Sequence, residues 1–302
     1  VKEDQGRSSL EVKDRSNADP GVCCVIVNWN GWRDTLDCLA SLREQEYGNL
    51  QIVVVDNGST DDSVERIRSA FPEAKLIETG KNLGYSSGCN VGLRAALAGN
   101  AEFVWVLNND TVCPPDTLGK LVRRAMASPE AGLVGTVLLY AHDPTRVQAW
   151  GGGRIRPWIA FTTHFDAPTE FGRNCYTTFA SVLARREMLE EVGLLYEGFF
   201  MYCDDSDLCL RMQKTRWKIA MAEDTAVLHK EGASTTTDQK PFMAKVVTVS
   251  NLRFIRRNSK FALIGMPVYV MLRLGNRVVR HEWKGFGAVC QGAIEFLREP
   301  MP

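Results

Sequence analysis

The chain has 302 residues, long enough for one large domain with an appendage or for two modest domains. Its 36 basic residues are balanced by 36 acidic ones, so the strong basic excess of a nucleic-acid binder is missing, while 45% hydrophobic and 24% charged residues suit a globular protein. Nine cysteines, an odd number without a CxxC pair, fit neither a disulfide framework nor a zinc ribbon and read as buried free thiols in a reducing cytosol.

Residues 1–20 are polar and charged without an apolar h-region, and read as a disordered or vector-derived tail, not a signal peptide. Val22–Val27 is a fully apolar run of strand length, as expected for a sheet covered on both faces. Helical spacing follows from Arg33 to Gln45, then a second apolar strand at Ile52–Val55 that ends on Asp56. Asp61 and Asp62 place negative charge at the start of the next helix. A short strand near Lys75–Ile77, a helix from Ser87 to Ala98, a strand Phe103–Leu107 and a helix from Pro114-Pro115 to Met126 complete the alternation. This predicts a parallel α/β sheet with right-handed crossovers, whose function collects at the carboxyl ends of the strands. Asn28, Asp56 and Asn108–Asp110 all lie at such ends.

The pattern loosens after residue 135. Gly151-Gly152-Gly153 and Pro157 predict turns, Asn174–Leu183 a strand, and Arg185–Val192 a helix stopped by Gly193. Asp204–Lys214 is helical with acids in its first turn, and Lys218–Met221 is a short strand. From Lys245 onward ten Lys/Arg stand against three Asp/Glu. No uncharged apolar run reaches the roughly 20 residues of a membrane span.

Asp110, directly after a buried strand, is placed to hold a divalent metal against phosphates, since Mg2+ and Mn2+ take oxygen ligands; the alternative is a plain Asn-Asn-Asp turn before a helix. Asp56 can accept from the N–H of a pyrimidine base, whereas Ser59 to Asp61 are explained by helix capping. Lys81–Gly88 is a glycine-containing loop before a helix, suited to phosphate but without the Lys-Ser/Thr ending of a P-loop. Asp204, Asp205 and Asp207 open one helix. Charge at a helix start explains one or two of them, and deprotonation of a hydroxyl would use another, with Arg211 placed to pair with an acid. His229, taken alone, reads as structural.

The ordered set Asn28-Trp29-Asn30-Gly31, Val54–Ser59, Asn82-Leu83-Gly84, Leu107–Asp110 and Asp204–Arg211 resembles the family 2 inverting glycosyltransferases of GT-A fold, most closely their rhamnosyltransferase and galactofuranosyltransferase branch. The resemblance covers about residues 22–235. It implies a Rossmann-like α/β fold, a mostly parallel sheet with flanking helices, with residues 21–240 as catalytic domain. Residues 21–135 would be the nucleotide-sugar half, 136–240 the acceptor half and 241–302 a helical C-terminal extension. It further implies that Val27, Asn28, Asp56, Asn82, Gly84, Asn108 and Asn109 hold the nucleotide sugar. Asp110 and His229 would bind Mg2+ or Mn2+, Asp205 would act as general base, and Asp204 and Trp150 would lie on the acceptor side. Asn108 departs from the family's DxD pattern and is a weaker ligand than a carboxylate. The implied reaction is inverting transfer from a nucleotide-diphosphate sugar, dTDP-rhamnose or a UDP-sugar, to a glycan or lipid-linked hydroxyl. The competing readings are a nucleotide-sugar binder without turnover and a sugar nucleotidyltransferase.

Phe261–Phe296 mixes aliphatics and aromatics with Arg273, Arg277, Arg280 and Lys284. Two uses stay open: a basic amphipathic contact with the inner face of the cytoplasmic membrane, or packing on the catalytic domain or a second subunit.

Overall fold

The computed structural model describes residues 19–230 and 240–299, so of the tail expected over residues 1–20 all but Asp19 and Pro20 lies outside the described residues. β1 (Val22–Asn28), β2 (Leu50–Asp56), β3 (Lys75–Glu78) and β4 (Phe103–Asn108) alternate with α1 (Trp32–Arg43), α2 (Ser63–Ala70) and α3 (Tyr85–Ala98). These strands pair in parallel in the order β3-β2-β1-β4. Side chains of a strand alternate between its faces. Val22, Cys24 and Ile26 therefore join Trp105 and Leu107 in one core, under α1, α2 and α4 (Thr117–Ala127). Cys23 and Val25 join Val53, Val55, Val104 and Val106 in another, under α3. Both faces being covered is why these strands read as unbroken apolar runs.

The second half of the sheet is less visible in the sequence. β6 (Ala131–Tyr140) is a ten-residue, largely buried strand where the sequence pattern is irregular. Its glycines are packing positions rather than breaks: a Cβ on Gly132 would strike Met188, and one on Gly135 would strike Thr177. β11 (Ser181–Arg185) lies antiparallel between β4 and β6, while β7 (Asp143–Trp150) pairs antiparallel with β6 over Val137–Tyr140, beyond the residues that β11 takes. β12 (Lys218–His229) is a twelve-residue strand parallel to β6, so the short strand expected at Lys218–Met221 is corrected to one that delivers His229 to the sheet's end. β5 (Thr111–Val112) closes that edge.

Two further corrections concern residues 151–183. The single strand expected over Asn174–Leu183 divides into β10 (Cys175–Thr177) and β11, which belong to different sheets. Of the three glycines read as turns, only Gly151 turns, at φ 69°. Gly152 and Gly153 begin β8 (Gly152–Arg156), where a Cβ would collide with the carbonyls of Tyr176 and Thr163. β8 pairs with β10 and with β9 (Phe161–His164) to form a three-stranded sheet.

α5 (Arg186–Val192) and α6 (Asp204–Met212) cover the second core. The C-terminal residues form α7 (Lys240–Asn258), α8 (Ala262–Val279) and α9 (Trp283–Leu297). Phe254 of α7 enters the second core, and Leu252, Ile255, Tyr269 and Phe296 join the three helices.

Candidate active site

The register of the parallel strands brings the polar ends together: Asn28 lies opposite Asp56, and Val27 opposite Asn108. Asn28 is fully buried. Its Nδ2 donates to Asp56 Oδ2 at 2.8 Å and to Ser59 Oγ at 3.1 Å, and its Oδ1 accepts from Thr35 Oγ1 at 2.8 Å. Asp56 also accepts from the backbone N–H of Ser59 at 2.9 Å and from Ser59 Oγ at 2.6 Å. A carboxylate offers about four lone-pair positions, so three donors leave Asp56 one acceptor site. Asn28 thus orients Asp56 from behind.

Asn57, which has no distinguishing mark in the sequence, organises the glycine loop. Its Nδ2 donates to Asn82 Oδ1 and to the Gly84 carbonyl, and its Oδ1 accepts from Leu83 N and Thr79 Oγ1. Asn82 in turn accepts from the N–H of Gly84 at 2.8 Å. Gly84 sits at φ 83°, and a Cβ there would meet the backbone of Phe200. Asn82 and Gly84 shape the start of α3, with Asn82 partly exposed.

The third cluster joins β4 to β12. Asp110 Oδ1 lies 3.1 Å from His229 Nε2, both side chains being 13% exposed. The other ring nitrogen, Nδ1, is 2.7 Å from Oε1 of Gln148 on β7. With Gln148 Oε1 at Nδ1, the ring turns Nε2 toward the Asp110 carboxylate. A neutral imidazole held in this way directs Nε2 toward the carboxylate, so both atoms are placed to reach one cation. Asn108 adds its Nδ2 at 3.4 Å from Nε2, while its Oδ1 accepts from Tyr85 at 3.2 Å. Asn109 turns away and donates to Thr35 Oγ1 at 3.0 Å, holding the Gly31 turn. Among the described residues no group of three or more His, Cys, Asp and Glu converges as a metal cage. A carboxylate and an imidazole still fit a divalent ion that takes its remaining ligands from phosphate and water.

Tyr85, which donates to Asn108, also lies in the field of the acids of α6. Burial raises its hydroxyl well above the usual range, reinforced by the charges of Asp204, Asp205 and Asp110, so it remains a donor. Asp204 is buried, and desolvation followed by the charge of Asp205 pushes its carboxyl up to about 8. Asp205 is raised too, by burial, against the N–H and hydroxyl of Ser206 and the charge of His164, which lower it. Asp205 is partly exposed and faces the three-stranded sheet, where burial also raises Tyr176. The two residues before this pair, Tyr202 and Cys203, hold φ at 70° and 67°, a backbone that side chains rarely adopt and that tends to mark functional sites. Asp207 belongs to the scaffold instead. It is 1% exposed and pairs with Arg211 at 2.9 Å and Arg257 at 3.3 Å, fixing α6 to α7.

Trp150 ends β7 with its indole Nε1 buried and without a hydrogen-bond partner among the described residues. Gln148 and His164 are not distinguishable in the sequence, because a neutral amide in an irregular stretch and one histidine among four carry no local signature. The strand partners of β7 and β9 supply the missing information.

A model described as glycosyl transferase family 2 matches residues 23–193, more than half of the chain. The N-acetylglucosaminyl-diphospho-decaprenol L-rhamnosyltransferase of Mycobacterium tuberculosis is 27% identical over 232 residues, covering 68% of this chain and 75% of the relative. The dTDP-rhamnosyl transferase RfbF of Shigella flexneri is 25% identical over 217 residues, 70% of this chain and 69% of the relative. Among solved structures, the mannosyltransferase PcManGT from Pyrobaculum calidifontis, in complex with GDP-Man and Mn2+, aligns over 95% of this chain and 89% of its own with a TM-score of 0.59. At 18% sequence identity that likeness is one of fold.

Proposed function

The chain belongs to glycosyl transferase family 2, and from that premise we propose that it transfers a sugar, with inversion, from a nucleoside diphosphate sugar to a hydroxyl of a glycan or lipid-linked acceptor. Its fold is the GT-A type, an α/β sheet with flanking helices followed by a C-terminal helical segment. Asp56 would accept the N–H of a pyrimidine ring, and the loop ordered by Asn57 would lie beside it. Asp110 and His229 would hold Mg2+ or Mn2+, which supplies electrostatic stabilisation of the diphosphate leaving group. Gln148, 2.7 Å from Nδ1, would hold the imidazole with Nε2 toward the metal. Asp205 takes the proton of the attacking hydroxyl, and Tyr85 stays protonated between the two acidic clusters. A single displacement needs no enzyme nucleophile.

The observation that carries this reading is the division of the acids into two groups: an acid–imidazole pair formed by Asp110, just after β4, with His229 at the end of β12, and at the start of α6 a buried Asp204 beside a partly exposed Asp205. The names of the two relatives favour dTDP-rhamnose as donor over a UDP-sugar. The test is release of nucleoside diphosphate from a panel of donors with Mn2+ or Mg2+. Asp205→Asn should lower kcat by about 100-fold or more while donor binding persists. Donor binding with no turnover on any donor–acceptor pair would instead favour a silent nucleotide-sugar binder, a reading that Asn108 in place of a carboxylate supports.

A further inference from the structure

The C-terminal helices present a surface that the catalytic reading leaves unused. α8 is eighteen residues long, and by length and composition it could cross a membrane, yet only Gly265 and Tyr269 are buried. Those two residues fasten it sideways. A Cβ on Gly265 would strike the carbonyl of Trp158, and Tyr269 accepts from Asn251 of α7 at 2.9 Å. With one face packed on α7 and α9, it is built to lie along a surface, not to span one.

Its outer face is apolar at helical spacing: Leu263 is 87% exposed, Met271 62%, Leu272 60% and Val279 78%. No acidic residue occurs in α8. The ends carry Lys260 and Phe261 on one side, and Arg280, Trp283 and Lys284 on the other. An exposed apolar stripe bordered by basic and indole side chains is the composition that inserts at a lipid interface.

An independent feature adjoins it. A cavity of about 1020 Å³ opens at the far end of α6 from Asp204 and Asp205, and it includes Lys260, Phe261 and Trp158, residues at or beneath the start of α8. Six cations line it, namely Arg173, Lys214, Arg216, Lys218, Arg257 and Lys260, and no carboxylate does. Arg257 is paired with Asp207 and Arg216 lies near Glu191, whereas the other four make no ion pair among the described residues. Unneutralised cations around a concave surface attract phosphate groups. Because the cavity and the apolar stripe meet at Lys260 and Phe261, one planar partner can satisfy both.

We propose that this face docks on an anionic phospholipid bilayer, with the stripe of α8 among the upper acyl chains and the basic cavity against lipid phosphates. Acceptors anchored in that bilayer would then approach an enzyme held at its surface. Flotation of the full chain with vesicles tests this, comparing phosphatidylcholine alone with phosphatidylcholine containing about 30% phosphatidylglycerol. The protein should float with the anionic vesicles and be released by salt. The doubles Leu263→Asp/Met271→Asp and Lys214→Gln/Lys218→Gln should each lower the bound fraction at least about tenfold. Their melting temperatures should stay near wild type, since all four side chains lie outside the buried cores. Failure of the wild type to float, or flotation unaltered in both doubles, overturns the proposal. So does a wild-type dimer that ignores vesicles and dissociates in the Leu263/Met271 double, which would assign the face to a second copy. Vesicle binding requires no turnover, so its outcome is separate from that of the donor screen.

Discussion

Asp204 and Asp205 are adjacent in the chain but differ in surroundings, and that difference has measurable consequences. Asp204 is buried with its carboxyl raised to about 8 by desolvation and by its neighbour's charge. The folded state therefore binds a proton that the unfolded state has already released, and stability at this residue falls as pH rises through the window from about 4 to about 8. Asp204→Asn removes that loss. Its melting temperature should match the wild type near pH 4 and exceed it by a few degrees above about pH 8, as thermal unfolding across a pH series will show. Asp205 is the more accessible of the two, as the proposed base would have to be to reach an acceptor hydroxyl. The role of Asp205 as base rests on family resemblance. Helix-start charge explains acids at that position equally well, and the surroundings that separate Asp204, Asp205 and Asp207 exist only after folding.

Among the elements, α6 and β12 decide how the site is held. α6 begins at the acid pair and is anchored by Asp207, which binds Arg211 within the helix and Arg257 and Asn258 on α7. Asp207→Ala would leave two guanidinium groups without their buried partner. It should destabilise the protein by about 3 kcal/mol, measured by denaturant unfolding, with both arginines retaining part of their solvation. β12 reaches His229 only by continuing past a register shift between Ala222 and Ala226. Glu223, Asp224 and Thr225 interrupt its apolar pattern there, which is why the sequence suggests a short strand. The early strands are legible because both their faces are buried. β6 and β8 are not, because their glycines signal turns locally and are required instead by close approach of neighbouring backbone and side chains.

For the molecule as a whole, folding brings Asp110 and His229 together from more than a hundred positions apart, so a nucleotide and a metal bound there should stabilise the fold together. Mn2+ with a nucleoside diphosphate should raise the melting temperature by several degrees at concentrations about 100 times the dissociation constant. Asp110→Asn should remove the metal-dependent part of that rise while retaining the nucleotide-dependent part. A nucleotide shift that is identical with and without metal in the wild type would count against Asp110 and His229 as ligands. The sequence alone determined the parallel half of the sheet, the placement of Asn28, Asp56 and Asp110 at its carboxyl end, and the family, because these depend on local apolar runs and on ordered short motifs. Tertiary structure decided which side chains are supports and which face the crevice. Asn28 is enclosed behind Asp56, Asn109 turns to Thr35, and Gln148 reaches His229 from a strand without a local signature. Those outcomes depend on strand register and burial, quantities that arise only when distant segments pack together.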